Sequence, residues 1–258
     1  MHDGHAVGGS RSRAVDGGWC VTALQAGPAA ALLDGGRTLF ESLAEDPVPT
    51  LRWYRTTAPA VVLGRGQAAL ALSTVNADVV TRFSGGGAVW LSPDVLSLDV
   101  LLPAAHPWVS QDLSAVFGRV GTAWAAGLRT LGVEGLSVYD GPAAARRRGT
   151  PRERMLAAVC YATRGRGEVL WHGRKLVGLA QRRRRHATMV QCGLLRRWHP
   201  EMLLEALGAD PGDAEVGRAA VGLDDIHADA PSDDDVIAAV TAAFVTAVAQ
   251  PSTGSRPS

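Results

Sequence analysis

Between residues 168 and 195 the chain reads as three extended runs in close succession, at 168–172, 175–181 and 188–195. Segments this short bury too little to stand alone, so they commit the middle of the chain to a sheet. More extended runs precede them, at 51–54, 60–63, 79–83, 88–91 and 96–102, the last two bounded by Pro93 and Pro103, with a shorter one at 137–139. Helical patterns surround and interrupt these runs. One is expected over 29–44, stopping near Pro47. Another covers 111–131, where apolar residues at 113, 116, 117, 120, 124 and 128 form a stripe, Asp112 or Ser114 can cap the start, and Gly132 lies just past the end. Two more helices close the chain at 200–207 and 232–249. A mixed β-sheet flanked by helices before, within and after it is an α+β fold, expected as one catalytic-sized domain over 19–249. Residues 1–18 and 250–258 are expected to be disordered, and the arginine-rich stretch 143–154 to be a mobile loop.

Two stretches carry candidate chemistry. In Ser84-Gly85-Gly86-Gly87-Ala88-Val89, three glycines between extended runs let the backbone approach a ligand and turn N–H groups towards an anion. The spacing is neither a Walker loop nor a dinucleotide fingerprint. The second stretch, 173–181, holds Lys175. Of 26 Lys and Arg it is the sole lysine, in a chain that uses arginine wherever a positive charge suffices. A lysine there can polarise an acyl carbonyl or hold a phosphate. Simple alternation sets Lys175, Val177 and Leu179 on one strand face, with Gly178 leaving room for a ligand on the other.

Charge is segregated although the formal net charge is only +1. Residues 141–200 hold 15 basic residues against two acids, and 201–258 hold 11 acids against two basic residues. The basic third suits an anionic partner, namely nucleotide phosphates, an acidic carrier protein or nucleic acid, or else a solvated face balanced by the acidic C-terminal region. With no nucleic-acid module in the sequence, a nucleic-acid partner is not expected.

These motifs occur in an order that resembles the lipoate–protein ligase A family, which shares a catalytic fold with octanoyltransferases and biotin–protein ligases. The resembling blocks are Gly64-Arg65-Gly66-Gln67 after an extended run, Arg82 leading into the glycine run, and the stretch 173–182 around Lys175. The resemblance implies an acyl tunnel beside the glycines with Lys175 at the carboxyl carbon. It assigns substrate or nucleotide contacts to Arg65, Arg82, Ser84, Gly85, Gly86, Gly87, Ala88, Val89, Gly178, Ala180 and Gln181. It also implies ATP and Mg as ligase substrates, lipoate or octanoate as the acyl group, and a lysine of an acidic lipoyl-domain protein as acceptor. Cys160, 15 residues before Lys175, resembles the cysteine of the octanoyltransferases that take octanoate from acyl carrier protein as a thioester. The usual His-Asp after the glycine run is replaced by Leu91 and Ser92, with Asp94 nearby. Cys192-Gly193 stands where His-Gly is common, Gly87 stands where the transferases tend to carry arginine, and the small accessory domain of many ligases is missing. ATP-dependent ligation ranks first on these motifs and Cys160-dependent transfer second. A non-catalytic carrier-binding relative and a partner-dependent enzyme stay open.

Three widely spaced cysteines argue against a disulfide framework and for a reducing, cytoplasmic setting. Apolar runs are broken well short of a membrane span, His172 and His186 lack metal-ligand spacing, and the seven tryptophans are scattered as core residues are.

Overall fold

The computed structural model describes residues 18–67, 70, 72, 73, 76–112, 114–142, 149–227 and 229–249, and the backbone of 13–15. The first half of the chain runs β1 (Arg13–Val15), β2 (Trp19–Val21), β3 (Gln25–Gly27), α1 (Ala29–Ser42), β4 (Thr50–Thr56), β5 (Ala60–Leu63), β6 (Asp78–Thr81), β7 (Val89–Leu91), β8 (Val95–Pro103) and α2 (Ala115–Thr130). It continues with β9 (Leu136–Val138), α3 (Pro151–Ala158), β10 (Val169–Trp171), β11 (Arg174–Arg183), β12 (Ala187–Leu195), α4 (Glu201–Ala206), α5 (Ala214–Ala219), α6 (Leu223–Ile226) and α7 (Asp233–Ala249).

Among the described residues, nine strands make a mixed sheet in the order β1-β2-β4-β8-β12-β11-β10-β9, with β3 also on β4. A small second sheet runs β6-β5-β7. Every residue of β8 is buried because both faces of the central strands are covered. Leu96, Leu98, Val100 and Leu102 enter the main core beneath α2 and α7, where Trp53 and Trp124 meet edge to face at 5.4 Å. Gly127 lets α2 and α7 close up, since a Cβ there would stand 2.6 Å from the Val240 Cα. On the opposite face Leu101 packs with Phe40 of α1, and the small sheet covers the rest. No helix among the described residues is long and apolar enough to cross a membrane.

The α+β architecture matches the expectation from sequence, with three local differences. Residues 151–154, read as part of a loop, open α3, whose start is a capping box: Thr150 Oγ1 accepts from Glu153 N, and Glu153 accepts from Thr150 N. The rest of that loop, 143–148, lies outside the described residues, as do 1–12, 16, 17 and 250–258 of the expected disordered ends. Arg13–Val15, inside the expected disordered start, pairs antiparallel with β2. The short helices α5 and α6 carry too few residues to show a helical period.

Candidate active site

Lys175 owes its position to a slip in the sheet. Val169 of β10 faces Val177 of β11, but the next residue, Leu170, faces Lys175, so Leu176 is the extra residue of a β-bulge. The bulge sends Leu176, Val177 and Leu179 into the main core. Lys175 and Gly178 instead both meet Tyr161: the Lys175 Nζ lies 5.6 Å from the ring centroid, and a Cβ on Gly178 would stand 3.1 Å from the ring. This corrects the simple alternation, which paired Lys175 with Val177 and set Gly178 opposite. A bulge exchanges the faces, and nothing in the strand's own sequence announces it.

Lys175 is 1% exposed and Glu168 4%. The Nζ stands 2.7 Å from Glu168 Oε2 and donates to the Cys160 carbonyl at 2.8 Å. Gly165 N also donates to that carboxylate, at 2.6 Å. Burial pushes the Glu168 carboxyl up, and the Lys175 ammonium opposes the rise. An ammonium has three N–H donors, and among the described residues no acceptor lies on the third.

The glycine run and the Cys160 turn form one backbone unit. Ala88 N donates to Ala158 O at 2.6 Å, and Cys160 N donates to Ala88 O at 2.9 Å. Only glycine fits at 87, because a Cβ would come within 2.7 Å of Cys160 N and 2.9 Å of Ala158 O. Arg82 draws the loop inward: its Nη2 donates to Gly85 O and Gly87 O, both at 2.8 Å. Gln67 fixes the far side, donating to Ala158 O at 3.0 Å while accepting from Gly64 N. Among the described residues the N–H groups of Gly86 and Gly87 carry no hydrogen bond, and both residues line the cleft beside Cys160. Such N–H groups are ready donors to a developing oxyanion.

Two cavities meet at Cys160. One lies between the two sheets and is walled by Leu33, Val62, Val89, Leu91, Leu179 and Tyr161, an apolar lining suited to an apolar chain. The other is an open cleft lined by Gly86, Gly87, Asp140, Arg164, Arg166 and Glu168. Cys160 and Leu179 line both. Beneath the apolar cavity runs a buried polar chain: Ser84 Oγ donates to Gln191 Oε1 at 2.5 Å, Gln191 Nε2 to Asp99 Oδ1 at 3.3 Å, and Arg52 to Asp99 Oδ2 at 2.9 Å. Burial raises the Asp99 carboxyl, with Arg52 opposing it.

The sequence-derived candidates separate into groups. Cys160, Gly86, Gly87, Val89, Gly178 and Ala180 gather around the two cavities, and Lys175 lies buried behind Cys160, to whose carbonyl it donates. Arg82 lines the apolar cavity and donates to the Gly85, Gly87 and Val62 carbonyls, while Gly85, Ser84 and Ala88 take part in the hydrogen bonds above. Arg65 is exposed, its backbone N–H on Ser84 O, and lines a separate outer cleft with Gly85 and Gly86. Gln181 pairs with Val190 in the sheet and lines none of these cavities. Where His-Asp is usual, Leu91 is cavity wall, and Ser92 Oγ accepts from Asp94 N. Cys192 is buried beneath the cavity floor, its thiol pushed up beyond the ordinary range by burial. Among the described residues no three His, Cys, Asp or Glu side chains gather closely enough to hold a metal ion.

Sequence reading missed the roles of Glu168, Gln67 and Tyr161. Tyr161 is buried across Gly178 and Gly193, which are register partners on β11 and β12, and its hydroxyl donates to Gly193 O at 2.7 Å. Two glycines facing each other across strands leave a flat bed for a ring. That signal exists only once the register is known.

The α+β domain thus buries a lysine–glutamate pair beside a cysteine that stands where an apolar cavity meets a polar cleft of mixed charge. Residues 31–245 match the lipoyl protein ligase A/B catalytic domain, and the chain belongs to that family, whose members are enzymes of the ligase or octanoyltransferase type. It is 29% identical over 207 residues to the octanoyltransferase LipM of Exiguobacterium sp., covering 76% of this chain and 74% of that one. The octanoyltransferase LipM of Moorella thermoacetica is 33% identical over 142 residues, covering 53% and 49%. Among solved structures, a lipoate-protein ligase A bound with ATP superposes with a TM-score of 0.68 at 19% identity, over 91% of this chain and 86% of that one. A bi-partite lipoate protein ligase from Thermoplasma acidophilum, described with its E2 lipoyl domain, does so at 0.68 and 19%, over 91% and 84%. At that identity the structures establish the shared fold.

Proposed function

We propose that this chain transfers a medium-chain acyl group, octanoyl in the first instance, from a carrier thioester through Cys160 to a lysine of a lipoyl domain. The observation that carries this reading is the place of Cys160 on both the apolar cavity and the open cleft, with its N–H held by Ala88 and its carbonyl by Lys175. Similarity to octanoyltransferases named LipM supports it. The motifs rank ligation first; the geometry at Cys160 favours transfer.

In the first half-reaction the deprotonated Cys160 sulfur attacks the donor thioester carbon. A new C–S bond forms, negative charge collects on the carbonyl oxygen, and the donor C–S bond breaks, its sulfur leaving as a thiolate that takes up the proton released when Cys160 ionised. In the second half the neutral ε-amine of the acceptor attacks the acyl-cysteine, a C–N bond forms, and the Cys160 sulfur leaves and takes up the surplus proton. The N–H groups of Gly86 and Gly87 are the donors that line the cleft for the oxyanion in both halves, each such donor contributing roughly 3–4 kcal/mol in comparable sites, while Lys175 holds the Cys160 turn from behind through its carbonyl. The apolar wall holds the chain and keeps the reacting carbon at the cavity mouth.

ATP-dependent activation is the second reading. It is favoured by the size of the cleft and by Arg164 and Arg166 on its wall, which suit nucleotide phosphates. Magnesium would then arrive with the triphosphate. Intact mass separates the two readings. An octanoyl adduct on the chain from octanoyl-acyl carrier protein without ATP, absent in Cys160→Ala, together with acylation of a lipoyl domain, is the expected result. Acylation that requires ATP and survives Cys160→Ala would replace transfer with ligation.

A further inference from the structure

The basic third of the chain is partly neutralised by the acidic C-terminal region. Arg152 pairs with Asp213 and Glu215, Arg196 with Asp224 and Asp233, Arg197 with Asp224, and Arg55 with Asp233. Four other arginines have no such partner. Arg182 lies over the Phe83 ring at 4.6 Å and Arg184 at 6.0 Å from the same centroid. Arg65 and Arg154 line the outer cleft with Gly85 and Gly86. Among the described residues no carboxylate stands within ion-pairing distance of any of the four. The acid that acts on Arg182 is Glu41, which lies 3.7 Å from His186. Arg182 Nε is buried without a hydrogen-bond partner. Burial first, then Arg184 and Arg65, hold the Arg182 guanidinium below its ordinary value, with Glu41 opposing them.

These side chains come from four separate segments: the turn after β5, the first turn of α3, the end of β11, and the turn that follows it. Such a spread suits a broad acidic surface better than a single phosphate, which needs donors converging on one point. The outer cleft adjoins the catalytic cleft, the two sharing Gly86 and Ala157. A body seated on the arginines therefore reaches Cys160 over the glycine run, as a folded domain with an extended lysine would.

We propose that Arg65, Arg154, Arg182 and Arg184 form the docking surface for an acidic face of the acceptor lipoyl domain. This rests on the transfer reading above. The test is direct titration of the full chain with an acidic lipoyl domain at about 50 mM and about 300 mM salt. Wild type is expected to bind more weakly at high salt. Arg182→Glu with Arg184→Glu is expected to bind about tenfold more weakly at low salt and to lose most of the salt dependence. Thioester formation on Cys160 from octanoyl-pantetheine, an uncharged small donor, is expected to be unchanged. Arg184→Glu alone, at an exposed position, covers the case in which the double variant unfolds, with an expected loss of about threefold. Unchanged affinity in both variants overturns the proposal. So does a loss confined to acyl carrier protein, or to an oligonucleotide bound in place of the domain. A chain that binds the domain through these arginines but forms no thioester refutes the transfer reading and leaves the docking surface standing.

Discussion

Replacing Glu168 by Gln keeps the shape of the side chain and removes the carboxylate 2.7 Å from Lys175. Both groups are buried, so the ammonium keeps only neutral acceptors, the Cys160 carbonyl and the new amide oxygen, and loses its counter-charge. Stranding one charge of a buried pair costs roughly 3–5 kcal/mol. For a chain of this size that lowers Tm by about 10 °C. Lys175→Met strands the carboxylate instead, a smaller loss, because burial already pushes Glu168 up and protonation relieves the charge. With its folded value raised above the unfolded one, Glu168 in that variant favours the fold at low pH, and the benefit fades as pH rises through the folded value. The double variant Glu168→Gln with Lys175→Met carries no stranded charge and is expected within about 1–2 kcal/mol of wild type. Denaturant melts of the four proteins give the coupling energy, and intact mass gives acyl transfer, expected to be lost in every protein lacking Lys175. A Glu168→Gln stability within about 0.5 kcal/mol of wild type, or strictly additive single effects, would refute the buried-pair reasoning.

Gly87→Ala forces a Cβ to 2.7 Å from Cys160 N. It is expected to cost about 1–3 kcal/mol and to abolish thioester formation, read by melting and by mass. Tyr161→Phe leaves the Gly193 carbonyl without its 2.7 Å donor, for an expected loss of about 1 kcal/mol in denaturant unfolding. His106, whose Nδ1 accepts from Trp108 N, is lowered to about 4 by burial and then by Arg119. The unfolded chain binds the extra proton between its ordinary value and that one, so stability should fall as pH drops from about 6.5 to about 4. His106→Gln should flatten the pH–stability curve in that window; an unaltered slope would contradict the assignment.

Local signals carried the fold a long way. Apolar runs bounded by Gly and Pro placed β5 at its observed limits, and the helical stripe found α2 between Asp112 and Gly132. The arginines of 143–154 obscured the capping box that starts α3. Lys175 stood out because a chain that had exchanged every other lysine for arginine kept this one, and arginine has no compact ammonium to fit between Glu168 and the Cys160 carbonyl. The glycine run was legible as a close approach, but its partners were not. That Gly87 lies against Cys160 and that Glu168 meets Lys175 depend on contacts between distant segments or on the bulge at Leu176. A single sequence shows which residues are unusual; the register decides what they face.

The burial of Lys175 has a consequence for the enzyme as a reagent. If the chain acylates lysine side chains as proposed above, it is exposed to its own chemistry wherever a lysine of its own reaches solvent. This chain presents none, since its single ε-amine is 1% exposed and engaged by a carboxylate. It is thereby immune to acylation of its own lysine side chains. In a mixture with an acceptor domain, any acyl-lysine that accumulates belongs to the acceptor, and an adduct on the enzyme itself reports on another nucleophile.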